Sequence, residues 1–213
     1  MICIVDYGMG NLQSVANALE AIGAKAQISS DPAVLRAADK LILPGVGAFG
    51  EAMARLRERD LINPLDEEVK ELHKPILGIC LGMQLLADVS FEHGEHRGLG
   101  WIPGEVRRID AAGPRTHEGH ALRVPHIGWS AVVTHGRSAL LEKMPPEPTF
   151  YFVHSFQLVA KDPAVVTGTC DYGGPLTAVV EHGHVLGTQF HPEKSQKAGL
   201  QLLRNFVAWE GAR

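Results

Sequence analysis

A cysteine framed by glycines, Gly78-Ile79-Cys80-Leu81-Gly82, stands between an apolar strand pattern and a helical pattern. The strand pattern is Pro75-Ile76-Leu77-Gly78-Ile79, and the helical one runs from Leu81 to about Val89. A nucleophile on such a sharp strand-to-helix turn sits in strained backbone, and side chains two residues to either side would collide. Glycine at both flanks removes the Cβ atoms that would clash. Backbone N–H groups opening the helix are directed at the sulfur, where they favour thiolate over thiol and can serve an oxyanion. Such a site would perform thiol-nucleophile chemistry. A cysteine alone in an apolar strand is more often inert core filling, so the assignment needs a partner.

That partner is His191-Pro192-Glu193, far downstream. Val185-Leu186-Gly187-Thr188-Gln189-Phe190 reads as a strand that delivers His191 and Glu193 at its end. Residues two apart in extended chain point the same way, so imidazole and carboxylate can lie side by side. Glu193 can then orient the ring and favour its charged form, while His191 exchanges protons with Cys80 and a leaving group. This is the base-plus-orienter logic of a catalytic triad.

Other motifs carry less. Gly8-Met9-Gly10 has the start of a dinucleotide fingerprint, but Gln13 stands where its third glycine belongs and Asp31-Pro32 reads as a helix start. Gly45 to Gly50 has phosphate-loop spacing, but Glu51 replaces the lysine and would repel phosphate. His117-Glu118-Gly119-His120 has the wrong spacing for a metalloprotease helix, and His182 and His184 flank a turn, so no metal and no other cofactor is expected.

The first half must position Cys80 by alternating strands and helices. Ile2-Cys3-Ile4-Val5 is a continuous apolar run, as in a strand buried on both faces. Leu12, Val15, Ala16, Leu19 and Ile22 recur at helical spacing up to Gly23. Ala26-Gln27-Ile28 is a weak strand, and Asp31-Pro32 caps a short helix through Ala37. Leu41-Ile42-Leu43 is a strand, followed by Pro44-Gly45-Val46-Gly47 and by helical stretches at about Gly50–Arg59 and Pro64–His73. This alternation implies a doubly wound, mostly parallel, flavodoxin-like α/β sheet with its site at the C-terminal strand ends.

The second half is richer in strands, at Gly104–Ile109, Ala131–Val133, Thr149–Val153, Ala164–Thr169 and Leu176–Glu181. Glu181-His182-Gly183-His184 reads as a hairpin turn, which implies antiparallel additions to the sheet. A final helix from about Lys197 to Glu210 turns Leu202, Leu203, Phe206 and Val207 inward, and Ala111–His120 reads as a polar surface loop. No linker or repeat interrupts the pattern, so residues 1–213 are expected to form one domain.

Composition bounds the rest. The 213 residues suffice for one well-buried core. A formal net charge of -4 argues against general affinity for nucleic acid or anionic membranes. Cys3, Cys80 and Cys170 are too few for a disulfide framework, so a reducing cytoplasm is expected. The start Met1-Ile2-Cys3-Ile4-Val5-Asp6 lacks the basic leader of a signal peptide. No apolar stretch approaches the roughly 20 residues of a membrane span.

Gly78-Ile79-Cys80-Leu81-Gly82-Met83-Gln84 resembles the nucleophile motif of class I, triad-type glutamine amidotransferases, and Gln189-Phe190-His191-Pro192-Glu193 resembles their triad-completing motif. Within that family, five further features look like the glutaminase subunits of imidazole glycerol phosphate synthase. They are Asp6-Tyr7-Gly8-Met9-Gly10-Asn11, Pro44–Gly50, Pro125-His126-Ile127-Gly128-Trp129, Tyr151–Phe156, and Lys194 after the glutamate. Ser130 departs from a usual asparagine, and Ile127 from a common methionine.

The resemblance implies that Cys80 attacks the side-chain amide of L-glutamine, with His191 and Glu193 completing the triad. It implies oxyanion donors on the backbone of Leu81 and of Val46-Gly47, and a clamp on the substrate's amino-acid end from Gln84 and the His154-Ser155-Phe156 backbone. It further implies a heterodimer in which ammonia passes to a TIM-barrel cyclase subunit making imidazole glycerol phosphate, for histidine biosynthesis. Asn11, Trp129, Tyr151 and Lys194 fall at interface-like positions. Trp129 and Tyr151 could instead be core aromatics, Lys194 a solvated charge and Asn11 a helix cap. The flexible Gly45-Val46-Gly47 segment suggests a glutaminase that is weak until its partner binds substrate. Two rival functions are a glutaminase feeding another synthase, such as anthranilate or aminodeoxychorismate synthase, and a cysteine peptidase or hydrolase on a related fold. A pure binding module has no need of the three assembled groups.

Overall fold

The computed structural model describes residues 1–110 and 122–211. The Ala111–His120 loop and the His117–His120 motif lie outside the described residues.

The apolar runs of the first half become strands and the periodic stretches become helices. In chain order these are β1 (Ile2–Val5), α1 (Leu12–Glu20), β2 (Ala26–Ser29), α2 (Pro32–Ala37), β3 (Lys40–Gly45), α3 (Phe49–Glu58), α4 (Ile62–Asp66), β4 (Ile76–Cys80) and α5 (Leu81–Leu85). Asp31 begins α2 as its composition suggests, its carboxylate accepting from the Ala33 N–H at 2.8 Å. The stretch expected as one helix from Pro64 to His73 divides. After α4 the backbone widens into a π-helical turn over Glu67–Glu71.

The second half supplies β5 (Ala87–Ser90), β6 (His96–Arg97), β7 (Ile102–Arg108), β8 (His126–Ala131), β9 (Val133–Thr134), β10 (Thr149–His154), β11 (Phe156–Ala160), β12 (Val166–Asp171), β13 (Pro175–His182), β14 (Val185–Thr188) and α6 (Gln196–Ala208). The helix expected from Leu81 to Val89 is therefore too long by four residues. The carbonyls that would continue it are taken elsewhere: Leu85 accepts from Leu99, Leu86 from Trp101 and Ile102, and Ala87 from Gly100. Ala87–Ser90 then pairs with β7 and β6 as a strand. The Ala131–Val133 run is split, because Ala131 pairs with Thr149 of β10 while Val133 pairs with Thr169 of β12.

The central sheet has the order β2-β1-β3-β4-β14-β13-β12-β9. Its strands from β2 to β14 run parallel, and β13, β12 and β9 add antiparallel. The Glu181–His184 hairpin is what reverses the chain between β13 and β14. Alternation along each strand feeds two cores. Cys3, Val5, Leu41 and Leu43 face α2–α5 on one side. Ile2, Ile4 and Ile42 face α1 and α6 on the other, together with Phe150, Phe152 and Phe190. A four-stranded sheet, β11-β7-β5-β6, and a two-stranded ribbon, β10-β8, flank the central sheet. The ribbon ends over the C-terminal edges of β4 and β14, where the Val153 carbonyl lies 4.0 Å from the Cys80 sulfur.

Candidate active site

Cys80 ends β4 with φ +55° and ψ −110°, a conformation that an L-residue adopts only under strain. The glycines on either side make that turn possible. A Cβ on Gly78 would lie 2.7 Å from the Gly82 carbonyl oxygen, and one on Gly82 only 1.7 Å from the carbonyl oxygen of Leu43. α5 can thus lie directly against β3 and β4. Only five residues long, it has a smaller macrodipole than a full-length helix to influence the sulfur.

His191 and Glu193 follow β14, which is paired in parallel with β4. Their spacing places the carboxylate beside the ring as expected: His191 Nδ1 lies 2.8 Å from Glu193 Oε1, with both side chains buried. Nδ1 therefore carries the donated proton, and Nε2, which meets no hydrogen-bond partner within normal distance among the described residues, is left to the Cys80 sulfur. Burial alone would push the imidazole pKa down, but the Cys80 sulfur and the Glu193 carboxylate outweigh it and raise it to about 9. An imidazolium at neutral pH is what a thiolate beside it requires.

These groups open onto a cavity of about 320 Å³. Cys80 and His191 line it, with Val46, Gly47 and Leu81 on one side. Gly45 is paired with Cys80 across β3 and β4, so the loop that follows runs past the nucleophile. Gly47 has φ +101° and Val46 is 40% exposed. Gly8-Met9-Gly10 serves this loop, since a Cβ on Gly47 would meet the Met9 methyl at 2.8 Å and one on Gly10 the Pro44 oxygen at 3.3 Å.

Gln84, His154, Ser155 and Phe156 also line the cavity. Gln84, however, turns its NH₂ inward, donating to the Phe156 carbonyl and to Gln189 Oε1, both at 3.0 Å. Only its Oε1 is left to meet a ligand. The His154 ring donates from Nδ1 to the same Phe156 carbonyl at 2.8 Å.

Two residues here have roles that the sequence did not assign. Glu92 lines the cavity with a carboxylate that accepts from the Phe49 N–H at 2.7 Å, so it caps α3 and offers charge to a cationic ligand group. Gln189 is fully buried and its amide lies 3.8 Å from the Cys80 sulfur. Its place just before His191 was the available signal, whereas Glu92 sits in a loop with no pattern.

Of the four interface-like positions, only Lys194 reaches the cavity. Trp129 is 48% exposed, which excludes a core role. It is paired with half-buried Tyr151 across the ribbon, ring centroids 6.0 Å apart. Asn11 is exposed and its side chain makes no cap to α1. With Ile127 at 58% exposure, the ribbon presents an apolar outer face beside the cavity.

The family model for glutamine amidotransferase class-I matches residues 3–209. Among curated relatives, imidazole glycerol phosphate synthase subunit HisH of Desulfitobacterium hafniense (strain DSM 10664 / DCB-2) is 47% identical over 211 residues, covering 98% of this chain and 94% of its own. The subunit of the same name from Rhodopirellula baltica is 47% identical over 207 residues, covering 97% of each. That from Aquifex aeolicus is 47% identical over 204 residues, covering 95% of this chain and 94% of its own. A crystal structure of a glutamine amidotransferase superposes with a TM-score of 0.70 at 22% identity, covering 97% of both chains. PurLQS from Thermotoga maritima gives 0.71 at 20% identity over 97% of this chain and 96% of the other, a likeness of fold.

Proposed function

The chain belongs to the class I glutamine amidotransferases, and from that membership we propose how its site works. It is a glutaminase subunit of the imidazole glycerol phosphate synthase type, serving histidine biosynthesis. Residues 1–213 act as one amidotransferase domain. The observation that carries the reading is the buried His191–Glu193 pair beside a cysteine in left-handed backbone at the floor of a cavity.

Glutamine enters with its side-chain amide toward Cys80. Its α-ammonium meets Glu92 and Gln84 Oε1, and its α-carboxylate the backbone of His154–Phe156. Such polar ends select the substrate, since an analogue lacking them leaves buried groups unpaired. The Cys80 thiolate attacks the amide carbon, and the carbonyl oxygen becomes an oxyanion served by backbone N–H groups of Leu81 and the Val46–Gly47 segment. Loss of one such donor costs about 3–4 kcal/mol in comparable sites. His191 gives its Nε2 proton to the leaving nitrogen, the C–N bond breaks, and ammonia departs from a glutamyl thioester. The neutral ring then takes a proton from water, whose oxygen attacks the thioester. Glutamate leaves and the thiolate–imidazolium pair is restored.

Ammonia is useful only if kept from bulk water, where it is protonated. We assign the ribbon face of Ile127, Trp129 and Tyr151, with Asn11 and Lys194, to a TIM-barrel cyclase subunit in a heterodimer, which receives ammonia directly. The Gly45–Gly47 loop turns a backbone amide into the oxyanion site when that partner is loaded, which makes the isolated glutaminase slow. The test is glutamine hydrolysis with and without a cyclase subunit and its nucleotide substrate. The expected result is strong stimulation by both together, and loss of activity in Cys80→Ser. Hydrolysis by Cys80→Ser at the unmodified rate would overturn the chemistry, and equal rates in all conditions would overturn the gating.

A further inference from the structure

Two buried imidazoles, those of His126 and His154, take no part in that chemistry. His126 and His154 face each other across the β8–β10 ribbon, the last rung of its register. Their rings are joined by a 3.0 Å contact from His126 Nδ1 to His154 Nε2. Directions follow from the neighbours. The Phe156 carbonyl can only accept, so His154 carries its proton on Nδ1 and accepts at Nε2. His126 must then donate from Nδ1, and its Nε2 accepts from the Ser130 hydroxyl at 2.9 Å. Burial holds both imidazoles to a pKa of about 4, so at neutral pH each gives one bond and takes one.

The chain of bonds continues toward the nucleophile. The Phe156 carbonyl that receives His154 also receives Gln84, whose second N–H holds Gln189, whose amide in turn reaches the Cys80 sulfur. Every link is a donor meeting an acceptor, from Ser130 on the ribbon to the site. Phe152 and Tyr172 stack on His126, with centroids at 4.9 and 4.1 Å, and leave its ring little freedom to turn.

We propose that the His126–His154 pair is a positioning element that fixes the Phe156 carbonyl and Gln84 in the glutamine pocket and ties that frame to the exposed ribbon. Without the His126 link nothing fixes the tautomer and orientation of the His154 side of the clamp, so its donor to the Phe156 carbonyl is no longer held in line and the substrate's amino-acid end is gripped loosely. The ribbon carrying Trp129 would then move without carrying the pocket with it. This rests on the glutaminase reading above.

The test compares alkylation of Cys80 by 6-diazo-5-oxo-L-norleucine, which needs the glutamine pocket, with alkylation by iodoacetamide, which needs only the sulfur. His126→Phe keeps the ring stack and removes the donor. His126→Asn places an amide N–H where Nδ1 stood. His154→Asn keeps the bond to Phe156 but is too short to place an acceptor where Nε2 received His126. We expect His126→Phe and His154→Asn to slow the glutamine-shaped reagent at least fivefold and iodoacetamide less than twofold, and His126→Asn to recover to within twofold of the unmodified protein. Should His126→Phe not fold, His154→Asn and His126→Asn decide between them. Unmodified rates in His154→Asn, or an asparagine at 126 no better than phenylalanine, would overturn the proposal. An unmodified protein inert to the glutamine-shaped reagent would instead sink the glutaminase reading.

Discussion

Gly82→Ala is the sharpest test of why the nucleophile turn has this sequence. The added methyl would sit 1.7 Å from the Leu43 carbonyl oxygen and 2.8 Å from its carbon. Both obstacles are backbone of β3, which is held between β1 and β4, so neither can step aside. Relief requires α5 to lift off β3 by more than an ångström, and a gap of that size forfeits about half or more of a contact's attraction. Leu81, Met83 and Leu85 on α5 are all buried. At about 2 kcal/mol of burial each, their partial loss with the strain adds to roughly 3–5 kcal/mol, at the upper end for single substitutions. Gly183→Ala is the control. It lies at φ +60° in the β13–β14 turn with no atom of the described residues within 4 Å of the added methyl, so it should cost only about 1–2 kcal/mol of left-handed strain. Urea denaturation followed by tryptophan fluorescence measures both, and iodoacetamide labelling of Cys80 reads whether the turn survives. Equal losses in the two variants would show that close approach of α5 to β3 is not what demands glycine.

Glu193→Gln keeps the 2.8 Å contact to His191 but removes its charge, so the ring should titrate lower and glutamine hydrolysis fall at least tenfold; an unchanged imidazole titration by NMR would contradict this. The His191 pKa, raised to about 9 by Cys80 and Glu193 against its burial, also predicts a stability window. Its contribution is complete below the unfolded value of about 6.5 and disappears as pH rises through 9, which amounts to roughly 3 kcal/mol. The stability difference between the unmodified protein and His191→Ala should therefore shrink across that range, and a difference flat from pH 6.5 to 9.5 would count against the ion pair. Glu92→Gln retains an acceptor for the Phe49 N–H but not the charge for an α-ammonium. The KM for glutamine should rise about tenfold, in line with a charged hydrogen bond, with kcat within threefold; a fall in kcat at constant KM would move Glu92 out of the binding role.

What could be read from the sequence is what local chemistry decides. Cys80 was legible because glycines at 78 and 82 have a steric reason that needs no knowledge of the rest of the chain, and the 2.7 and 1.7 Å approaches bear that reason out. His191 and Glu193 were legible because two-residue spacing after an apolar strand brings side chains together whatever lies around them. The end of α5 was not, because Leu81–Val89 has helical periodicity and only the Leu99–Ile102 segment, claiming three carbonyls, stops it at Leu85. The same limit hid the work of Gln84. The family resemblance implies a hand on the substrate, but the Gln84 NH₂ is committed to Phe156 and Gln189, residues whose nearness depends on β10, β11 and β14 converging. His126 and His154 are 28 residues apart and share a site only because the ribbon's register makes them its final rung. A chemical group that reacts can be recognised by its neighbours in sequence. One that holds another in place is defined by neighbours in space, and in this protein those neighbours lie on the strands that join the exposed ribbon to the pocket.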